Sequence, residues 1–85
     1  MKILYSPKFA KEYKKLSSKI KLLAESKESV FRKDPRHSSL KTHKLTGRLK
    51  EYWAFSIDYQ YRIIFQFLKK DTIWFHSIGT HEIYN

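Results

Sequence analysis

The feature that most constrains the fold of this chain is a change of hydrophobic pattern near its middle. Over residues 7–33 apolar side chains recur at helical spacing, whereas beyond residue 50 aromatic and β-branched residues gather in three short runs. A chain of 85 residues has room for one hydrophobic core, so both halves must share it. We therefore interpret residues 1–85 as a single domain in which helices pack against a sheet.

Two helices are predicted in the N-terminal half, after a short strand over residues 1–5. Ser6 and Pro7 are typical of a helix start, because a serine hydroxyl caps free N–H groups and proline is favoured in the first turn. Ser17 and Ser18 interrupt this helix. A second helix is expected to run to about Lys33, antiparallel to the first, and to end before an Asp-Pro pair.

Three antiparallel strands joined by hairpins are predicted in the C-terminal half, over residues 51–57, 60–68 and 72–78. The middle run is largely apolar on both faces, which is typical of an internal strand. The predicted order is β-α-α-β-β-β, an α+β domain with two N-terminal antiparallel helices on one face of a small, mostly antiparallel, curled sheet. The other face is expected to be open.

The charge balance indicates a polyanionic partner. The chain has 18 Lys and Arg against 8 Asp and Glu, a net charge of +10, which is typical of proteins that bind nucleic acid, the ribosome or a membrane surface. Residues 35–50 form the densest positive segment and contain no acid. The basic residues of this segment are Arg36, Lys41, Lys44, Arg48 and Lys50.

Several classes of site are disfavoured by what the sequence lacks. It has no cysteine and no apolar run long enough for a signal peptide or a membrane span, so we expect a cytoplasmic protein without a membrane partner. Its four histidines show no metal-ligand spacing, and its two glycines make no phosphate loop. We therefore expect neither a metal nor a cofactor.

RNA can be cut without a metal when its 2′-hydroxyl attacks the adjacent phosphate, which needs a base, an acid and a cation. His43 and His81 are candidates for acid–base work. The open alternatives are a phosphate contact or a solvated loop side chain for His43, and a solvated terminal side chain for His81. His76, within a strand pattern, is interpreted as structural. Arg62, in a largely apolar strand, is either a phosphate ligand or paired with a carboxylate. The candidate carboxylates are Glu51, Asp58 and Asp71.

Four segments, over residues 3–9, 40–47, 61–65 and 78–84, together resemble the RelE/ParE toxin superfamily. The L-x-x-H-x-L-x-G pattern of residues 40–47, followed by G-T-H near the C-terminus, is most similar to the YafQ branch of that superfamily. The resemblance implies a toxin of a type II toxin-antitoxin system, neutralised by a cognate antitoxin. It also implies a ribosome-dependent endonuclease that cleaves mRNA in the ribosomal A site without a metal.

The resemblance also assigns roles to individual residues. His81 matches a C-terminal histidine that acts in acid–base chemistry, His43 a catalytic-site histidine, and Arg62 the strand arginine of RelE-like toxins. Our working hypothesis makes His81 the general acid, His43 the base or a phosphate ligand, and Arg62 the stabiliser of the phosphorane. Tyr84 resembles a C-terminal aromatic residue that stacks on a base. The residues expected to bind the RNA backbone are Lys41, Lys44, Arg48 and Lys50.

The sequence departs from the YafQ pattern in the central hairpin. Ser56 stands where that branch has a further histidine, and Gln60 and Tyr61 stand where it has an Asp-Trp pair. Tyr61 is then expected to serve as the aromatic platform for the substrate. Two alternatives remain open: a ParE-like toxin that inhibits DNA gyrase without nuclease activity, and a non-catalytic module that binds RNA or the ribosome.

Overall fold

The computed structural model describes residues 1–80 and confirms the predicted α+β order. The elements are β1 (Lys2–Tyr5), α1 (Pro7–Lys14), α2 (Ser18–Lys33), β2 (His43–Lys44), β3 (Trp53–Ser56), β4 (Tyr61–Phe67) and β5 (Thr72–Thr80). Strand β2, which the sequence did not predict, lies between two single 3₁₀ turns. A strand of two residues is too short to show an alternating pattern.

The five strands form one sheet in the order β1-β5-β4-β3-β2. Strand β1 is parallel to β5, and every other pair is antiparallel, so the sheet is mostly antiparallel as predicted. The N-terminal strand therefore forms one edge beside the last strand, and the short β2 forms the other edge.

Both helices begin at a serine cap, and the sequence predicted the first of the two. The Ser6 hydroxyl accepts a hydrogen bond from the Phe9 N–H at 2.8 Å, and the Ser17 hydroxyl accepts one from the Ile20 N–H at 3.3 Å. These caps satisfy amide groups that have no partner within the helix. Helix α2 ends where Asp34 adopts an extended conformation before proline.

The core lies between the helices and one face of the sheet and is centred on Phe31 of α2. The Phe31 ring contacts the rings of three phenylalanines, and all four side chains are fully buried. The ring centroids lie 4.7 Å from Phe55, 4.9 Å from Phe65 and 5.6 Å from Phe75. One residue of α2 thus contacts three adjacent strands and fixes the helix over the middle of the sheet.

Helix α1 covers the part of β5 that β1 leaves unpaired. Strand β1 pairs with β5 only as far as Phe75. Beyond that point the Glu12 carboxylate accepts the Ile78 N–H at 3.0 Å, and the Ser6 hydroxyl donates to the His76 carbonyl at 2.6 Å. Side chains of α1 and of its N-cap therefore satisfy main-chain groups that an edge strand would otherwise expose.

The sheet face away from the helices is covered by no further layer within residues 1–80, as the sequence predicted, but its centre is closely packed. Its central residues Ala54 and Ile64 are 0 % and 1 % exposed. The rings of Tyr52 and His76 approach each other above β4, with centroids 4.9 Å apart, and lie beside Ala54 and Ile64. Among the described residues, no helix is both long enough and apolar enough to cross a membrane.

Candidate functional site

Strand register places two of the predicted site residues on the same side of the sheet. His43 lies opposite Ala54, which lies opposite Ile64 in β4. Two residues along, Arg62 lies opposite Ser56. Directly opposed residues of antiparallel strands point to the same face, and a step of two residues keeps that face. His43 and Arg62 therefore share the side away from the helices, which we call the outer face.

The register also sets the separation of these two residues. Arg62 is two strands and two residues away from His43. With strands about 4.8 Å apart and a rise of about 3.4 Å per residue, the two Cα atoms lie about 12 Å apart. The side chains of Arg62 and His43 extend from these Cα atoms and can together bridge much of the distance. A single-stranded nucleic acid crossing the outer face can therefore contact both.

Local backbone geometry fixes the tautomer of His43. Lys41 adopts a left-handed conformation with φ of 51°, and its carbonyl lies 3.0 Å from the Nδ1 atom of His43. A carbonyl oxygen can only accept, so Nδ1 must carry the proton. The lone pair of the neutral ring is then on Nε2. His43 is exposed, so this nitrogen is available to accept a proton from a bound molecule.

The turn between β3 and β4 orients Arg62. One terminal guanidinium nitrogen donates to the carbonyls of Asp58 at 2.8 Å and Tyr61 at 3.2 Å. The Asp58 carboxylate itself accepts the N–H groups of Gln60 and Tyr61 at 2.9 Å and 2.7 Å, which holds the turn in shape. The guanidinium is therefore anchored through main-chain carbonyls at the turn end of the outer face.

The predicted backbone-binding residues lie around the β2 edge, and the structure does not bring all four together. Lys44 is opposite Trp53, on the helix side of the sheet, and so points away from His43. Arg48 is in the second 3₁₀ turn and Lys50 follows it. Lys41, Lys44, Arg48 and Lys50 are all exposed.

No ion pair within residues 1–80 involves the basic segment 35–50. The ion pairs there join the N-terminal amine to Asp71, Lys8 to Glu12, and Arg32 to Glu28. The carboxylates of these pairs lie on the helices and at the β1 edge, and the positive charge of residues 35–50 lies around the β2 edge. Such a concentration of charge attracts polyanions.

Tyr61 does not share a face with Arg62. It lies opposite Thr80 and packs against the core on the helix side. Neighbouring residues of a strand point to opposite faces, so this separation was available from the sequence. Tyr52, which was not among the predicted site residues, lies on the outer face. The sequence contained an indication of this, because Tyr52 and Ser56 are an even number of residues apart in the same predicted strand and therefore share a face.

The environment of His76 differs from that of an exposed histidine. Burial lowers the pKa of its imidazole, and the nearby positive charge of Lys8 lowers it further, whereas Glu12 acts in the opposite direction. The ring is therefore neutral at neutral pH.

On the helix side, Tyr5, Phe9 and Tyr13 line an apolar groove of about 490 Å³. The Tyr5 hydroxyl donates to Glu28 and the Tyr13 hydroxyl donates to Glu25. Burial raises the pKa of both phenols, and hydrogen bonding to the carboxylates raises it further. This groove is separate from the outer face, and its rim carries charges of both signs, because Lys14 lines it beside the two carboxylates and Arg32 pairs with Glu28.

Two predicted site residues, His81 and Tyr84, lie outside the described residues, and their roles stay predictions. Within residues 1–80, no group of three His, Cys, Asp or Glu side chains is arranged to hold a metal ion.

Comparison with known proteins gives similarity in structure rather than in sequence. No family model and no curated protein matches the sequence. YafQ from Escherichia coli BL21(DE3) superposes with a TM-score of 0.79 at 21 % identity, covering 96 % of this chain and 94 % of that one. A YoeB/ParE toxin from Agrobacterium tumefaciens also gives a TM-score of 0.79, at 14 % identity, covering 95 % and 99 %.

A third similar structure includes a partner chain. YafQ in the E. coli DinJ-YafQ toxin-antitoxin complex has a TM-score of 0.77 at 22 % identity, with coverage of 95 % and 92 %. At these identities the similarity concerns the fold. This chain therefore has the fold of the YafQ and YoeB toxins, as its resemblance to the RelE/ParE superfamily predicted.

Proposed function

We propose that this chain is the toxin of a type II toxin-antitoxin system and cleaves mRNA on the ribosome without a metal. The observation that carries the proposal is the geometry of His43. Its Nε2 atom is a proton acceptor at an exposed position, on the same face as Arg62 and at the edge of the basic segment. A fold shared with toxins is consistent with this function but does not establish it.

In the proposed reaction, His43 Nε2 accepts the proton of the RNA 2′-hydroxyl, and the 2′-oxygen attacks the adjacent phosphorus. The guanidinium of Arg62 stabilises the negative charge of the resulting phosphorane. His81 protonates the departing 5′-oxygen, which leaves a 2′,3′-cyclic phosphate and a free 5′-hydroxyl. Ser56, beside Arg62, has no group that titrates near neutral pH, so the acid and base roles fall to the two histidines.

We assign RNA binding to basic side chains and to one aromatic residue. Lys41, Arg48 and Lys50 contact the RNA backbone near His43, and Tyr84 stacks on a base as the family resemblance implies. Lys44, on the other side of the β2 edge, contacts RNA or ribosomal phosphates beyond the outer face. These partners place the activity in the cytoplasm.

The proposed antitoxin is an acidic, partly helical protein that covers the basic segment. E. coli YafQ has been solved with DinJ, and YoeB from Staphylococcus aureus with YefM, which is consistent with a protein inhibitor here. Covering residues 35–50 neutralises the charge that attracts RNA. The antitoxin therefore inhibits by competing for the same surface.

The test is inducible expression in bacteria with mapping of the 5′ ends of a reporter mRNA. We expect new, translation-dependent ends with the wild-type chain, and their loss in His43→Ala, Arg62→Ala and His81→Ala. The matched control is His37→Ala, which removes an exposed histidine of the same segment that caps a 3₁₀ turn instead. Growth arrest with intact mRNA in all strains would overturn the nuclease assignment and favour a gyrase inhibitor.

A further inference from the structure

The outer face carries an aromatic contact that the proposed reaction does not use. The rings of Tyr52 and His76 lie 4.9 Å apart between centroids, with 38° between their planes. Tyr52 directly precedes β3 and His76 is in β5, so the two side chains reach towards each other across β4. Both side chains are partly exposed, and Tyr52 is not part of the hydrophobic core cluster.

A bulge in β5 brings His76 to this position. Phe65 of β4 lies opposite Phe75, but the next residue, Ile64, lies opposite Ser77. His76 is therefore an extra residue in β5. Bulges of this kind redirect a side chain and recur beside functional sites. Here the redirected side chain reaches the Tyr52 ring on the outer face.

Tyr52 is adjacent to the proposed catalytic histidine. His43 lies opposite Ala54, and Tyr52 precedes Ala54 by two residues on the same face. Diagonal neighbours of this type have Cα atoms about 7–8 Å apart. This separation suits a nucleotide whose base lies on the Tyr52 ring while its phosphate lies near His43. On the far side, Lys8 adds positive charge close to His76.

We propose that Tyr52 and His76 form a platform on which one base of a single-stranded RNA stacks, which sets the position of the adjacent phosphate at His43. The proposal rests on the proposed function for its ligand. It assigns to Tyr52 the substrate-positioning role that the sequence suggested for Tyr61. Base stacking tolerates any sequence, because every base presents a π face, so the platform gives position rather than base preference.

The test measures binding of the purified chain to single-stranded oligonucleotides that it cannot cut. Each is a 2′-O-methyl hexanucleotide with 2-aminopurine at one position, and the position is moved along the series. Stacking quenches the fluorescence of this base, so titration gives both the dissociation constant and the stacked position. We expect strong quenching at one position for the wild-type chain at low salt.

Variants then assign the quenching to the platform. Tyr52→Leu should raise the dissociation constant by about 5- to 150-fold and abolish the quenching, because one stacked base contributes about 1–3 kcal/mol. Tyr52→Phe retains the ring and should bind within about twofold of the wild-type chain. The matched control is Tyr59→Leu, which removes a tyrosine that is 82 % exposed in the β3–β4 turn. It should leave binding unchanged.

An oligonucleotide series tests the same contact without altering the protein. Removing the base at the quenched position should weaken binding to the wild-type chain about as much as Tyr52→Leu does, and should have little further effect in that variant. The platform would be overturned if neither Tyr52→Leu nor removal of the base changed the dissociation constant. It would also be overturned if no binding were measurable at low salt. Tyr52-dependent binding with no mRNA cleavage in bacteria would support the platform and refute the nuclease.

Discussion

The two faces of the sheet use aromatic residues in different ways. On the helix side, Phe31 and its three phenylalanine neighbours are completely buried. On the outer face, the aromatic residues among residues 1–80 are Tyr52, Trp74 and His76, and each is partly exposed. Phenylalanine has no polar atom to satisfy, whereas the others keep a polar atom near water. Ring chemistry thus distinguishes the buried centre of the helix side, which holds the fold together, from the outer face; partly buried rings such as Trp53 and Tyr61 surround that centre.

The sharpest way to break this comparison is to remove one ring from each face. Phe31→Ala should lower the free energy of unfolding by about 3–5 kcal/mol, because it leaves a cavity among three strands. This is a large part of the roughly 5–15 kcal/mol of a typical domain. Tyr52→Ala should cost about 1–2 kcal/mol, since its ring is only partly buried. Urea unfolding measures both, and equal losses would contradict the division.

For mRNA cleavage, we expect a substitution on the outer face to have a larger effect than one on the helix side. Arg62→Ala should reduce mRNA cleavage by about 10² or more, because the phosphorane loses its counter-charge. Its effect on stability should be about 1 kcal/mol, since the guanidinium bonds two turn carbonyls. Phe65→Leu is the counterpart on the helix side. It should destabilise the chain while the folded fraction cleaves at the normal rate, which comparison of cleavage with unfolding curves can check.

The edge of β5, where helix α1 meets the sheet, gives a smaller and separable effect. Glu12→Ala removes the acceptor of the Ile78 N–H and should cost about 1–3 kcal/mol of unfolding free energy. Glu12→Gln keeps an acceptor oxygen and loses only the exposed ion pair with Lys8, so it should cost less than about 1 kcal/mol. Hydrogen exchange at the Ile78 amide should accelerate in the alanine variant alone.

The smallest expected effect is a pH dependence that arises from His76. Its pKa is lowered in the folded chain by burial and by Lys8, against the opposing influence of Glu12. The unfolded chain therefore binds a proton first as the pH falls. The stability that the folded chain gains from a neutral His76 is present in full above the pKa of the unfolded state, about 6.5. It is lost as the pH falls through the lower pKa of the folded state.

Melting temperatures at several pH values would isolate this contribution. The wild-type chain should lose more stability between pH 7.5 and pH 5 than His76→Gln, which has no titrating ring. His37→Gln serves as the control, because that exposed histidine lies in a 3₁₀ turn outside the sheet. An identical pH profile in the wild-type chain and His76→Gln would show that His76 does not couple to folding.

The helices, β1 and the three C-terminal strands β3, β4 and β5 were predictable because local chemistry specifies them. The Ser6 and Ser17 caps, the extended Asp34 and the apolar runs act within a few residues along the chain. Strand β2 was not predictable, because its pairing with β3 is its main distinguishing property. Two candidate site residues, His43 and Arg62, were named from chemistry and resemblance, and the register places both on one face; their roles stay predictions.

The sequence by itself determined the α+β class, the order of the main elements, the excess of positive charge and the residue types available for RNA chemistry. The tertiary structure decided which of those residues meet. Tyr61 is adjacent to Arg62 in sequence but faces the core, whereas Tyr52 and His76 are far apart in sequence and touch. The reason is that strand register and a single bulge determine the face of each side chain, and both depend on pairing between distant segments.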